Sequence, residues 1–213
     1  MKIVLATGNR GKLAELEALL APLGIELVSQ ASLGITPAPE VRGTFVENAL
    51  DKARHAARGA GLPALADDSG LVVPCLGGAP GIHSARYAAL ADPATPDAGR
   101  QANASDAANN ARLLRELGDR LAGGARPAAY FFCSLVLVTH ADDPAPLIAS
   151  ARWHGEICAT ARGSNGFGYD PHFYLPALGC TAAELDAASK GRLSHRGQAT
   201  ALLLRELRDL ELP

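Results

Sequence analysis

The chain opens "MKIVLATGNRGKLAELEALL", residues 1–20, and this stretch decides the fold class. Lys2–Thr7 is short, apolar and β-branched, the pattern of a buried strand. Leu13, Leu16, Leu19, Leu20 and Leu23 then recur at helical spacing, and Gly24 follows as a stop. Ile25–Val28 reads as a second strand. A strand, a helix and a strand in that order predict α/β architecture. Between the first two lies "ATGNRGK" (6–12), a glycine-containing turn that ends in lysine. Such a turn aims backbone N–H groups at one point, the helix dipole favours an anion there, and Lys12 adds a full charge. It is not a P-loop: only Asn9 and Arg10 separate Gly8 from Gly11-Lys12, and Leu13 brings no hydroxyl for a metal. If the turn holds phosphate, the metal ligand comes from elsewhere. The competing reading is an ordinary strand-to-helix turn with a solvent lysine.

Working outward, residues 30–43 are loop-like, with Pro37, Pro39 and Gly43. Thr44 and Glu47 fit a capping box that opens a helix through "FVENALDKARHAARGAG". "ALADDSGLVV" (64–73) reads as a strand, a polar turn and another strand. Residues 91–106 are rich in Pro, Ala and Asp and read as an exposed loop, after which Ser105 or Asp106 caps a helix carrying Leu113, Leu114, Leu117 and Leu121. "AYFFCSLVLVTH" (129–140) is the strongest strand pattern, and "LIASARWHGEI" (147–157) pairs beside it. "RGSNGFGYDPHF" (162–173) is a loop too polar for the core, and helical patterns return at "TAAELDAASK" and "SHRGQATALLLRELRDLEL".

The 213 residues suffice for one domain, with or without two lobes. Apolar residues make up 48% and charged residues 20%, ordinary for a globular protein. The formal charge of −2 provides no global field for nucleic acid or an anionic membrane. No apolar run has the length of a membrane-spanning helix. The N-terminus lacks the pattern of a secretory signal. Cys75, Cys133, Cys158 and Cys180 are scattered, as reduced thiols of a cytoplasmic protein would be.

Four constellations carry candidate chemistry. In "DDSG" (67–70), adjacent side chains on an extended chain point to opposite faces, so Asp67 and Asp68 should do different work. One carboxylate can hold Mg²⁺ or orient a water, and the other can anchor the turn by accepting backbone N–H bonds. Glu40 and Glu47 are alternative second metal ligands, and Lys52 lies close behind them in sequence. In "NGFGYDP" (165–171), Gly166 and Gly168 permit close approach, while Phe167 and Tyr169 can stack on a base or form a core pair. In "SKGRLSHRG" (189–197), Ser194 can cap the last helix, which places His195 and Arg196 in its first turn. Cations are unfavourable there unless an anion or a base faces them. Lys190 lies one loop upstream.

Together the segments "TGNRGK", "TFVENALDKA", "ADDSGL", "LGGAPGIHSARY", "GFGYDPHF", "TAAEL" and "SHRGQA" resemble, in order and over nearly the whole chain, the inosine triphosphate pyrophosphatases, also described as non-standard purine nucleoside triphosphate pyrophosphatases. The resemblance implies an elongated mixed β-sheet with flanking helices, a single domain over 1–213 forming two lobes around a central cleft, and a cytoplasmic homodimer. It implies hydrolysis of ITP, dITP and XTP to the monophosphate and pyrophosphate with Mg²⁺; the weak net charge argues for neither nucleic acid nor membrane as partner. Carried over by position, Thr7, Gly8, Asn9, Arg10, Gly11 and Lys12 line the triphosphate, and Lys52 is a further phosphate contact. Asp68 is the acid–base and metal residue, Glu40 occupies the place of a second metal carboxylate, and Ser69 touches substrate. Phe167, Gly168, Tyr169, Asp170, Lys190, His195 and Arg196 bind the nucleoside end. Three features depart from the family pattern: His83 before "SARY", the length of residues 88–104, and Ser164-Asn165 in the glycine loop. The rival readings are a sister pyrophosphatase for modified pyrimidine triphosphates and a nucleotide-binding regulator without turnover.

Overall fold

The structure is a computed structural model that describes residues 2–21, 25–91 and 102–208, with the side chains of Arg10, Ala91 and Arg208 outside the description. The expected helix stop at Gly24 and most of the 91–106 loop lie outside the described residues. The elements are β1 (Lys2–Ala6), α1 (Arg10–Leu20), β2 (Glu26–Ser29), α2 (Phe45–Ala60), β3 (Ala64–Val72), α3 (Asp106–Ala122), β4 (Ala128–Val138), β5 (Leu147–Ile157), β6 (Phe173–Leu175), β7 (Cys180–Thr181), α4 (Ala187–Leu193) and α5 (His195–Arg208). One seven-stranded sheet runs in the order β2-β1-β3-β4-β5-β6-β7. β1 pairs parallel with β2 and β3, while β5–β6 and β6–β7 are antiparallel. The sheet is therefore mixed and the fold is α/β, as the opening strand–helix–strand pattern predicts. No described helix is long and apolar enough to cross a membrane, and all four cysteines are free.

The chain divides into two compact units. The first comprises residues 1–69, 133–152 and 191–213, and the second residues 70–132 and 153–190. In the first, the period of two along β1 sorts the core into two layers. Ile3 and Leu5 join Leu65, Leu135 and Leu137 under Leu16 and Leu20 of α1 and Leu203 of α5. Val4 and Ala6 join Ala64, Ala66, Val136 and Val138 under Ala49, Ala53, Ala56 and Ala57 of α2. The alanine stripe lets α2 lie close on the strands. Its ends follow the sequence rules: Thr44 Oγ1 accepts the Glu47 N–H and donates to Glu47 Oε2, and Gly61 closes the helix at φ +65°. The second unit has an aromatic core, with Phe131 and Trp153 4.6 and 5.3 Å from Phe173 between ring centroids, under Leu113 and Leu117 of α3. Ser105, not Asp106, caps α3 by accepting the Ala108 N–H.

Two local expectations are corrected. "DDSG" is not a turn, because β3 runs unbroken from Ala64 to Val72 through it. Asp and Ser favour turns when their side chains bond their own backbone, and here Asp67, Asp68 and Ser69 find Lys12, Lys52 and Arg196 on neighbouring helices. "TAAELDAASK" is not one helix. Thr181 and Glu184 do form a capping box, but over a three-residue 3₁₀ turn that Leu185 ends in an extended conformation, and α4 starts only at Ala187.

Candidate active site

The opposite faces of β3 deliver Asp67 and Asp68 to different helices. Asp67 shares the parity of Leu65 and meets α1 and α5; Asp68 shares that of Ala66 and meets α2. Lys12 Nζ lies 2.7 Å from Asp67 Oδ1. Arg196 donates through Nε to Asp67 Oδ2 at 2.8 Å and through Nη2 to Ser69 Oγ at 2.9 Å, and Nη1 pairs with Glu15. Ser69 donates to Asp67 Oδ1, and the Cys133 thiol donates to Oδ2. Burial opposes ionisation of Asp67, but Arg196 and Lys12 outweigh it and hold the carboxyl well below the usual aspartate range. Burial, reinforced by Asp67, pushes the Cys133 thiol well up, so it remains a donor.

This answers the charge anomaly at the start of α5. Arg196 is 1% exposed in the first helical turn, where the dipole is unfavourable to a cation. The buried Asp67 carboxylate and Glu15 compensate it. The expectation that Arg196 donates to a base is set against a guanidinium already bonded to Asp67, Ser69 and Glu15, an arrangement that favours a positioning role. Ser194 Oγ accepts the Gly197 N–H at 3.1 Å, so the expected cap is present. Gly197 is required by a close crossing: a Cβ there would lie 1.8 Å from the Gly191 carbonyl oxygen of α4. Gly197→Ala is therefore expected to lower the thermal midpoint, with overpacking against backbone costing at least about 1–3 kcal/mol. An unchanged midpoint would mean that the two helices separate without cost.

On the other face, Lys52 Nζ bridges Asp68 Oδ1 at 2.8 Å and Glu40 Oε1 at 3.0 Å. Burial pulls the Lys52 ammonium down, yet Asp68 and Glu40 prevail and its pKa is raised. Asp68 is raised as well, by burial first and then by Glu40, against the pull of Lys52 and Lys12. Two carboxylates share one ammonium, and Asp68 Oδ2 is buried with no hydrogen-bond partner. A site with surplus negative charge and an orphaned oxygen suits a divalent cation. Among the described residues no three His, Cys, Asp or Glu side chains form a metal-binding group. Of the two alternatives, Glu40 is beside Asp68 through Lys52, whereas Glu47 bonds Thr44 at the N-terminus of α2.

The strand-to-helix turn is organised differently from the expectation. Asn9 is the N-cap of α1, and its Oδ1 accepts the N–H groups of Gly11 and Lys12 at 2.9 and 3.1 Å. Thr7 Oγ1 accepts the Asn9 N–H at 3.2 Å. Those amides are spent on the turn itself, and among the described side chains the turn brings Lys12 to the site as a cation. Asn9, a substrate contact by the family resemblance, is also the cap, and Asn before a leucine-periodic segment is a standard start signal.

The nucleoside-end candidates fall in the second unit, apart from His195 and Arg196. Lys190 Nζ donates to Asp170 Oδ2 at 2.6 Å and stands 4.8 Å from the Phe167 ring centroid. Asp170 Oδ2 also accepts the Phe167 N–H. Tyr169 belongs to the aromatic core, 4% exposed, with its hydroxyl donating to the Ser84 carbonyl. Of the two expected stacking rings, Tyr169 is thus a core residue and Phe167 is the half-buried one. His195 is buried at the start of α5.

Residues 3–206 match the model of the Ham1 family. A dITP/XTP pyrophosphatase of Ralstonia nicotianae is 59% identical over 99% of this chain and 98% of its own length. A dITP/XTP pyrophosphatase of Bordetella pertussis is 58% identical over 97% of this chain and 91% of its own. Among solved structures, a HAM1 protein from Coxiella burnetii is 45% identical and superposes with a TM-score of 0.84 over 99% of this chain and all of that one.

Proposed function

Since the chain belongs to the Ham1 family, we propose that it hydrolyses non-standard purine nucleoside triphosphates (dITP, ITP and XTP) to the monophosphate and pyrophosphate. The observation that carries the reading within this chain is the buried Asp68 carboxylate beside Lys52, Glu40 and Lys12 at the C-terminal side of β1 and along β3. A protein that merely binds nucleotides needs no such carboxylate beside a triphosphate.

In this reading Lys12 and Lys52 bind the triphosphate oxygens as point charges. Lys12 exchanges part of its interaction with Asp67 for phosphate, and Arg196 keeps Asp67 ionised and fixed meanwhile. Asp68 orients the attacking water towards the α-phosphorus and its carboxylate accepts the proton. The water oxygen bonds to phosphorus as the bond to the bridging oxygen breaks, and the electron pair leaves with pyrophosphate. Asp68 and Glu40 would hold Mg²⁺, which when bound neutralises charge developing on the phosphoryl oxygens. Phe167 stacks on the base, and His195 with the Phe167–Asp170 loop selects it. We extend the reading to a single two-lobed catalytic domain that works as a homodimer in the cytoplasm, on the strength of the motif resemblance.

The test is pyrophosphate release from ITP with Mg²⁺. Release is expected, its complete loss on adding chelator is expected, and restoration follows excess Mg²⁺. Tight nucleotide binding with no released pyrophosphate would instead identify a binding protein.

A further inference from the structure

Gly168 sits at φ +64°, a backbone conformation that side-chain-bearing residues rarely adopt, in the middle of the loop that carries Phe167. Its peptide groups are both taken by α3. Asp106 Oδ2 accepts the Gly168 N–H at 2.6 Å, and Asn110 Nδ2 donates to the Gly168 carbonyl at 2.8 Å. Asp106 and Asn110 are four residues apart, so one helix face presents both. The pair has complementary chemistry, one acceptor for the N–H and one donor for the C=O. Asn110 is nine-tenths buried, and its Oδ1 has no hydrogen-bond partner. Leaving a buried acceptor unmade is unfavourable, so the amide is retained there at a cost for what its other end does.

The rest of the loop is tied independently. Asn165 bonds the Ala183 and Leu185 carbonyls, and Phe167 N–H bonds Asp170. Tyr169 is anchored in the core by Ser84. Gly168 is the position between the Phe167 ring and the Tyr169 anchor, and among the described residues α3 holds both its N–H and its carbonyl. From this geometry we infer that Asp106 and Asn110 are positioning residues for base recognition: they clamp the Gly168 peptide and thereby set where Phe167 is presented. The inference rests on the reading above that the Phe167–Asp170 loop meets the nucleoside end.

The experiment compares the full-length enzyme with Asp106→Ala, Asn110→Ala and Asp106→Asn, using ITP, ATP and the base-free competitor tripolyphosphate. Losing one clamp bond is expected to raise KM for ITP about tenfold, with kcat within about twofold of wild type. The ITP-to-ATP ratio of kcat/KM falls by a similar factor. Inhibition by tripolyphosphate is unchanged, because the phosphate end does not involve α3. Asp106→Asn keeps an acceptor for the Gly168 N–H and restores the wild-type KM. The inference is overturned if both alanine variants keep wild-type KM and selectivity, or if they weaken tripolyphosphate and ITP alike. Should Asn110→Ala not fold, the exposed Asp106 and its Asn variant decide the matter alone. A wild-type enzyme with no preference for ITP over ATP would overturn the base-end reading itself, and that outcome is visible before any variant is made.

Discussion

Asp68→Asn lowers kcat for ITP by at least ~10², the size of a lost general base, with the fold intact. The expectation follows from two features. Asp68 is almost fully buried on the α2 face of β3, and its Oδ2 has no partner to lose. Replacing it with an isosteric amide therefore leaves the packing in place. It replaces one carboxylate oxygen by an N–H₂ group that cannot take the proton, while the amide oxygen still accepts from the Lys52 ammonium. KM changes less than kcat, because Lys12 and Lys52 still meet the phosphates. Steady-state kinetics with thermal unfolding of the same sample checks this. Near-normal kcat would remove Asp68 from the chemistry.

Arg196→Ala is the second large effect, and it is expected in stability as well as rate. Breaking a buried ion pair by deleting one partner leaves the other charge uncompensated and costs about 3–5 kcal/mol. The change strips Asp67 and Ser69 of the donors that join β3 to α5. Turnover falls for ITP and ATP alike, because Asp67 positions Lys12 for any triphosphate. The pH dependence has a definite sign. Asp67 has a folded-state pKa depressed below its unfolded value. Its contribution is therefore complete above the unfolded pKa of about 4 and is lost as pH falls through the folded value. Without Arg196 the folded pKa rises, so metal-free variant protein begins acid unfolding at higher pH than wild type. Urea midpoints from pH 7 down to pH 3 measure this. A variant that lost activity on ITP while ATP activity and acid stability were untouched would return Arg196 to the base.

Much of this was legible in the chain. Two adjacent aspartates on an extended segment had to face opposite ways, and they do, one towards Lys12 and Arg196 and the other towards Lys52. Arg196 at the start of the last helix broke a local rule, and the buried Asp67 carboxylate resolves it. What was hidden depended on partners distant in sequence. "DDSG" looked like a turn because the local bonds that such residues make are visible in sequence, whereas Arg196 is not visible from Asp67. The same holds for Asp106 and Asn110, which reach Gly168 across some sixty positions. Ser105 and Asp106 looked interchangeable as caps, but one bonds its own helix and the other a distant loop. The helical pattern at "TAAELDAASK" misled in the opposite sense: its capping box opens only a short turn, because the chain straightens at Leu185.

The most direct test of the central claim is an initial-rate panel of ITP, XTP, dITP, ATP, GTP and CTP with Mg²⁺ and with products identified. Deamination turns the 6-amino donor of adenine into an acceptor, and a pocket built to donate there leaves polar groups opposed when adenine enters. Several such mismatches together reach discrimination on the order of 10⁴. The expected result is ITP, XTP and dITP turned over far faster than the other three, with one monophosphate and one pyrophosphate formed per cleavage. Comparable rates across the panel, a preference for a pyrimidine, or release of orthophosphate in place of pyrophosphate would contradict it.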